Sequence, residues 1–565
     1  MSSHKIINIS ALDPRLQDSL SRRLGISRIT SQLLINRGIQ DLKEADKFLN
    51  PRLDQLLDPF SFPDMRLAVN LIKKAARNKE RVLVHGDYDV DGVTSLALLK
   101  KTLRKLGLEA EHYIPHRIKE GYGLSKAVIK VLKDKKIGLF ITADCGTNSV
   151  EIIKEIKKQG IEVIITDHHE PSTAADYDWP VINPKISGSE YKYRDLAGVG
   201  VAFKLCQALT GSHLEDDLDL VCLGTICDSV PLTGENRIIA KIGLEKIAQS
   251  DKPGLKALIQ AGGISNKKMT PEAVGFILGP RINASGRMDT AETALELLMS
   301  EDEDKAVLLA KALDTYNRQR QKIEGEIFEE AQDLINKEVN FKEHQVMVVA
   351  KEGWHLGVLG VVASKLADRF YRPAILISIN KDLCRGSGRS IKNFHLFEGL
   401  SDCRELLDNF GGHEHAIGMV IQQDNISQFR EKINLFAKNK LVFQDLIPSL
   451  DVDMELGLSD IGREFILELQ ELEPFGEGNS RPLFYTRNLA LKGQPRLFNK
   501  NTMKFWVTDN DLTYSAIGFG MGQLKEELLN AGSFDLVYSP MIDNWQGQES
   551  MVLDIKEVFF KTGKE

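Results

Sequence analysis

From Arg81 to about Leu232 the chain repeats one pattern: a short apolar run, a turn of small or acidic residues, then an amphipathic stretch. Val82–Val84, Gly138–Ala143 and Glu162–Thr166 are continuous apolar segments of strand length, and each leads into a stretch with a helical apolar period. Strands that are apolar on both faces predict a parallel sheet covered by crossover helices. An α/β domain over residues 81–300 is therefore expected, with ligands gathering at the carboxyl ends of its strands.

Residues 1–80 read as a helical region, with one helix over Ser31–Gly38 and another over Ala68–Ala76. Between Glu303 and Val339 there is no proline. Leu309, Leu313, Tyr316, Ile323, Ile327, Ala331 and Leu334 recur there at steps of three and four or their sums. That spacing predicts a single connecting helix over 301–340, roughly 50 Å long at 1.5 Å per residue, a length suited to joining two lobes. Arg318, Arg320 and Lys322 on it are candidates to face a cleft, against the simpler reading of a solvated face.

A second α/β lobe over 341–440 follows, with strands at Val346–Ala350 and Ala374–Ser378 and a helix over Val358–Phe370. Within it, Gly386-Ser387-Gly388-Arg389-Ser390 reads as a small amide-rich loop carrying one guanidinium, a composition that suits phosphate. From 449 to 565, short β runs alternate with turns: Pro482–Leu491, Met503–Thr508, Thr513–Phe519, Phe534–Tyr538 and Ser550–Phe559. A small barrel of the OB type is expected, and Phe484, Tyr485, Phe505, Trp506, Tyr514 and Trp545 lie in or beside its strands. Most of these rings are expected to fill the barrel; an outward one would offer a stacking surface for bases.

Composition narrows the class. With 565 residues, 42% hydrophobic and 27% charged, the chain is that of a globular protein of three or four domains. No apolar run of membrane-spanning length and no secretory leader is present, so a cytoplasmic protein without a membrane partner is expected. The six cysteines lack CxxC spacing and predict neither a zinc knuckle nor a disulfide framework. A net charge of −7 by itself argues against a polyanionic partner, but acidic residues that bind cations reverse their local sign.

The chemistry concentrates where the first strand ends. His85-Gly-Asp87-Tyr-Asp89-Val-Asp91-Gly92 crowds three carboxylates and an imidazole, which repel or desolvate one another unless a cation joins them. The second strand ends in Asp144-Cys-Gly146 and the third in Asp167-His168-His169. Asp228 follows another apolar stretch, where it serves equally well as a ligand or as a turn former. Oxygen and nitrogen donors in this number suit two divalent cations, Mn²⁺ or Mg²⁺, better than a thiolate-seeking ion.

These motifs, in this order, resemble those of the DHH phosphoesterase superfamily. Gly279-Pro-Arg281-Ile-Asn-Ala-Ser-Gly-Arg287, Gly353-Trp-His-Leu-Gly-Val, Gly411-Gly-His413 and Leu472-Glu-Pro-Phe-Gly-Glu-Gly478 resemble its single-strand-specific DNA exonucleases over nearly the full length. The resemblance implies a DHH domain, a DHHA1-like substrate-binding lobe and an OB-like nucleic-acid-binding domain. It implies His85, Asp89, Asp91, Asp144, His168 and Asp228 as metal ligands. Asp87 and Asp167 would orient those ligands, and His169 would approach the scissile phosphate. Arg117, Ser387 and Arg389 would hold a terminal phosphate, Arg281 and Arg287 would line the channel, and His413 would contact the phosphate being cut. The implied reaction is two-metal hydrolysis of single-stranded DNA from its 5′ end to 5′-mononucleotides, in recombination and repair. A single-strand-binding protein and a helicase would be partners. Two alternatives stay open: a non-catalytic DNA-binding replication factor, and a phosphodiesterase for short oligonucleotides or cyclic dinucleotides.

Overall fold

Near the N terminus Ile6–Ile9 forms strand β1, whose hydrogen-bonding partner is a strand at the far end of the chain. The computed structural model describes residues 5–121, 123–172, 177–380, 383–498, 501–545 and 548–561. It divides into two units, one of residues 56–230 and 242–447, the other of residues 1–55, 231–241 and 448–565.

In the first unit the three apolar runs at Val82, Gly138 and Glu162 become strands, whereas the apolar stretch before Asp228 is a helix. β2 (Val82–Gly86), β3 (Ala110–Tyr113), β4 (Leu139–Ala143), β5 (Glu162–Thr166) and β6 (Val181–Ile182) form a wholly parallel sheet in the order β3-β2-β4-β5-β6. β2 and β4 are buried along their whole length, as strands covered on both faces must be. Because β2, β4 and β5 are neighbours running the same way, their three acidic ends emerge side by side.

The connecting helix runs unbroken over Glu303–Glu338, capped by Asp302, whose carboxylate accepts from the Lys305 amide. It leads to a five-stranded sheet of β7 (Met347–Glu352), β8 (Ala374–Ile379), β9 (Leu383–Arg389), β10 (Leu407–Gly412) and β11 (Ala416–Gln422), in the order β10-β11-β9-β8-β7. β7 and β8 are parallel and are joined by the helix Leu356–Phe370.

The glycine-rich segment expected as a loop is the central strand β9, paired on both sides. Its glycines serve packing: a Cβ on Gly388 would stand 2.8 Å from the Ile417 side chain, and one on Gly386 2.9 Å from Met419. Close approach of neighbouring side chains, not turn formation, accounts for the composition.

The second unit closes the C-terminal barrel. β12 (Ser449–Val452) pairs in parallel with β1. β13 (Met454–Glu455) adds to β14 (Phe484–Phe498), which continues through β15 (Thr502–Thr508), β16 (Thr513–Gly518), β18 (Gln548–Phe560) and β17 (Phe534–Trp545). Pairing of β14 with β17 shuts the ring. Phe484, Phe505 and Tyr514 sit in its core, whereas Trp506 is half exposed; the Trp545 side chain lies outside the described residues. Leu20, Leu33, Leu34, Ala45 and Phe48 of the N-terminal helices belong to the same hydrophobic cluster as the barrel.

Candidate active site

The local sequence dictates how the first motif turns. After β2 the chain reverses into the helix Val90–Lys105, and Asp89 caps that helix by accepting the Gly92 amide at 3.0 Å. Gly92 passes so close to Asp87 that a Cβ there would lie 2.6 Å from its backbone. Asp91, one position into the helix, accepts from the Gly198 and Val199 amides at 2.6 and 2.7 Å. Gly198 is equally constrained, since a Cβ would collide with the Asp144 carboxylate.

Asp144, at φ +63, and His168 arrive from the ends of β4 and β5. The His168 Nε2 lies 3.2 Å from an Asp144 oxygen, 3.6 Å from Asp228 and 3.8 Å from Asp91. Asp228 is reached from a different element, as the residue capping the helix Leu218–Cys227. Three overlapping sets have ligand atoms within 4.8 Å of one another: Asp91, His168 and Asp228; Asp144, His168 and His169; Asp87, Asp89 and Asp144. Asp87 thus lies inside the cluster. His85 falls in none of these sets; it is fully buried on β2, with Nδ1 3.6 Å from the Cys145 sulfur.

Burial makes these groups resist charge. Burial, reinforced by the Asp89 carboxylate, raises Asp91 to about 7. It also lifts Asp87, Asp144 and Asp228 well above the ordinary carboxylate range, with neighbouring aspartates adding to the effect. Burial lowers His85 to about 4 and His168 to about 3, so both imidazoles are neutral and available as donors.

Asp167 behaves differently. Burial pushes its carboxyl up, but the hydrogen bond from His169 and the adjoining charges outweigh that and hold it below the usual range. It accepts from the His168 and His169 amides, the Thr147 amide and the His169 Nδ1 at 2.7 to 3.1 Å. His169 is thereby fixed with Nδ1 toward Asp167, the same nitrogen lying 3.9 Å from an Asp144 oxygen.

A cationic group lies on the same unit. Arg117 stacks on Tyr88 at 4.8 Å, and both line a cavity of about 340 Å³ together with Ser387 and Arg385. The Arg389 Nη1 reaches Ser387 Oγ at 3.5 Å and the Gly388 carbonyl at 2.8 Å. Arg287 is half-buried and donates to the Gly357 carbonyl at 3.0 Å. Burial, with the guanidinium groups of Arg117, Arg320 and Arg389 nearby, lowers it to about 9. Burial and the charges of His169 and Lys185 lower His413, in the turn between β10 and β11. Arg281 pairs with Asp314 of the long helix at 3.0 Å.

Sequence reasoning passed over Tyr88, Asn183 and Lys185. Asn183 donates to the His169 carbonyl and to Thr147 Oγ1 at 2.9 Å, and Lys185 acts electrostatically on His168 and Asp228. Both follow β6, so the same rule about strand ends would have found them.

Parallel strands that deliver aspartates and histidines to one sheet edge, joined through a long helix to an arginine-bearing lobe, define a DHH-type protein. Family models agree: residues 81–225 match the DHH family N-terminal domain, 343–439 the DHHA1 domain and 452–557 the RecJ OB domain. The chain is 40% identical over 542 residues to the single-stranded-DNA-specific exonuclease RecJ of Bacillus subtilis, covering 95% of this chain and 69% of the relative. The RecJ of Haemophilus influenzae is 32% identical over 541 residues, with 92% and 93% covered. The crystal structure of Thermus thermophilus RecJ with Mn²⁺ superposes with a TM-score of 0.86 at 27% identity, covering 100% of this chain and 81% of that one. The chain belongs to the RecJ family.

Proposed function

We propose that this protein is a metal-dependent exonuclease that hydrolyses single-stranded DNA from the 5′ end to 5′-mononucleotides. The observation that carries the reading is the convergence of Asp89, Asp91, Asp144, His168 and Asp228 beside a separate arginine pocket in one unit. The donor set fits divalent cations. The His85 Nε2, one Asp87 oxygen and one Asp228 oxygen are buried without a hydrogen-bond partner, a costly state that a cation would relieve. We assign His85, Asp89, Asp91, Asp144, His168 and Asp228 as ligands of two such ions, Mn²⁺ or Mg²⁺. When bound, the ions supply hydroxide from water near neutral pH and stabilise charge at phosphorus.

The chain's own groups do the rest. Asp167 holds the His169 ring beside the carboxylate cluster, where the imidazole can donate to a phosphate oxygen. His413 approaches the same phosphate from the second lobe. Arg117, Ser387 and Arg389 hold the terminal phosphate, which fixes the cut one nucleotide from the end, and half-buried Arg287 supports them through its charge. Asp87 orients its neighbours from within the carboxylate cluster. On the barrel, Trp506 stands opposite Lys492, with Lys504 two residues away on the same strand face, an arrangement suited to stacking and backbone contact with a longer strand. A single-strand-binding protein and a helicase are the proposed suppliers of open ends, in the cytoplasm and in recombination and repair.

Digestion of 5′- and 3′-labelled single strands with Mg²⁺ or Mn²⁺ tests polarity, substrate and ion together. Labelled mononucleotide is expected at once from the 5′ label and late from the 3′ label, and Asp89→Ala should release neither. Binding without cutting would favour the replication-factor reading. Cutting confined to very short oligonucleotides would favour the small-substrate one.

A further inference from the structure

A second cavity, of about 970 Å³, adjoins the proposed phosphate pocket and shares Ile118, Leu356 and Arg385 with it. It lies beyond the carboxyl ends of the parallel strands β7 and β8, at the start of the helix that connects them. That is where βαβ units collect nucleotides, with phosphate near the helix N terminus and an acidic side chain after a strand near ribose hydroxyls.

The residues follow that division. Arg385 stands at the mouth shared with the phosphate pocket, held by its Nη1 to the Ile118 carbonyl at 2.9 Å. His355 occupies the N-cap position of the helix Leu356–Phe370 without a side-chain cap hydrogen bond, and its buried Nδ1 has no partner. Glu352 closes β7, and Asn380 follows β8. Gly353, at φ +80, lets the chain turn away from β7, a conformation glycine adopts without strain. Ser378 Oγ donates to the Trp354 carbonyl at 2.7 Å, and Trp354 Nε1 donates to Glu330 at 2.8 Å. The wall is therefore fixed before any ligand arrives. A single terminal phosphate needs none of this space.

We propose that the second cavity admits a nucleoside joined to the 5′ end of the strand through a pyrophosphate, so that adenylylated 5′ ends are substrates. This rests on the terminal-phosphate reading of the neighbouring pocket. The pyrophosphate passes Arg385 and the helix N terminus, Glu352 accepts from the ribose hydroxyls, and Asn380 meets the base. Water adds across the phosphodiester between the first and second nucleotides. The P–O3′ bond breaks, the 3′ oxygen leaves with a proton, and the 5′-phosphate stays on the shortened strand. The other product is the first nucleotide still carrying its pyrophosphate-linked adenosine.

The test compares strands ending in 5′-phosphate, 5′-triphosphate and a 5′–5′ pyrophosphate-linked adenosine. Binding is measured by anisotropy in the Asp89→Ala protein, and cleavage in the wild type. The adenylylated strand is expected to bind at least as tightly as the monophosphate strand and to lose its capped nucleotide. Asn380→Trp, which fills the cavity, should weaken binding of that strand at least tenfold and leave the monophosphate strand unchanged. Glu352→Gln should weaken it severalfold in the same selective way. A monophosphate strand that is never cut would sink the exonuclease reading, while the binding comparison still decides the cavity. The inference is overturned if the adenylylated strand binds more than tenfold weaker than the monophosphate strand. It is overturned equally if Asn380→Trp affects all three ends alike.

Discussion

The acidic cluster at the ends of β2, β4 and β5 and the arginine cluster around Ser387 are mirror images in charge. In the first, buried carboxylates surround neutral imidazoles, and burial together with mutual repulsion raises the acids. In the second, burial and mutual repulsion lower the guanidinium groups of Arg287 and Arg389. Neither arrangement stabilises a fold, because like charges taken from water cost several kcal/mol each unless compensated. Each cluster has the chemistry of one half of an interaction: the carboxylates suit cations, and the guanidiniums suit phosphate.

The largest expected effect breaks the acidic half. Asp144→Asn keeps the shape and removes a charge from two of the overlapping ligand sets, and should lower single-strand cleavage about 10³-fold. Manganese binding measured by calorimetry should weaken with it; intact binding with lost cleavage would separate Asp144 from the ion.

Breaking the cationic half should cost less. Arg389→Ala removes a charge-assisted contact of about 1.5–3 kcal/mol, so cleavage of 5′-phosphorylated strands should fall roughly 10- to 100-fold. Strands with a 5′-hydroxyl should change little, and manganese affinity should hold. A drop in manganese affinity would show that the clusters are not separable.

A third outcome concerns pH and stability without metal. Carboxyls whose folded pKa is raised bind protons more tightly in the folded state, so their contribution is present near pH 4 and is lost as pH rises through 7 and beyond. The depressed His85 and His168 oppose this below about pH 6.5, where the unfolded chain protonates them first. The melting temperature in EDTA should therefore fall most clearly between pH 6.5 and 8, and saturating Mn²⁺ should abolish the fall. A flat or rising EDTA profile would contradict the unpaired-acid picture.

The smallest effect lies on the barrel. Trp506→Ala should weaken binding of a long single strand by about 1 kcal/mol, roughly fivefold, and spare cleavage of a very short one. The point substitution is preferable to removing residues 449–565, because Leu33, Leu34 and Phe48 share the barrel's core.

Most of the acidic half was legible in sequence because its motifs stand at the ends of apolar strands, and parallel strands deliver their ends to one edge. Asp228, at the end of a helix, was not fixed by that rule. The arginine half was legible only in part. Gly386 to Arg389 reads as a loop by composition, and only the facing side chains of Met419 and Ile417 explain why glycine is required in a strand. The motif around Arg281 gives no sign of its ion-pair partner, Asp314, 33 positions on. The home of the N-terminal helices was not legible at all. Their apolar faces are ordinary, and the surface that covers them is encoded about four hundred residues later.

That last pairing has a consequence during synthesis. β1 and the apolar sides of Pro14–Leu24 and Arg28–Asn36 leave the ribosome long before their partners in the barrel, which are encoded more than four hundred residues later. At about 5–20 residues per second the amino-terminal segment waits tens of seconds with its greasy side uncovered. Nascent chains of this protein should therefore engage chaperones through these helices until the barrel strands have emerged.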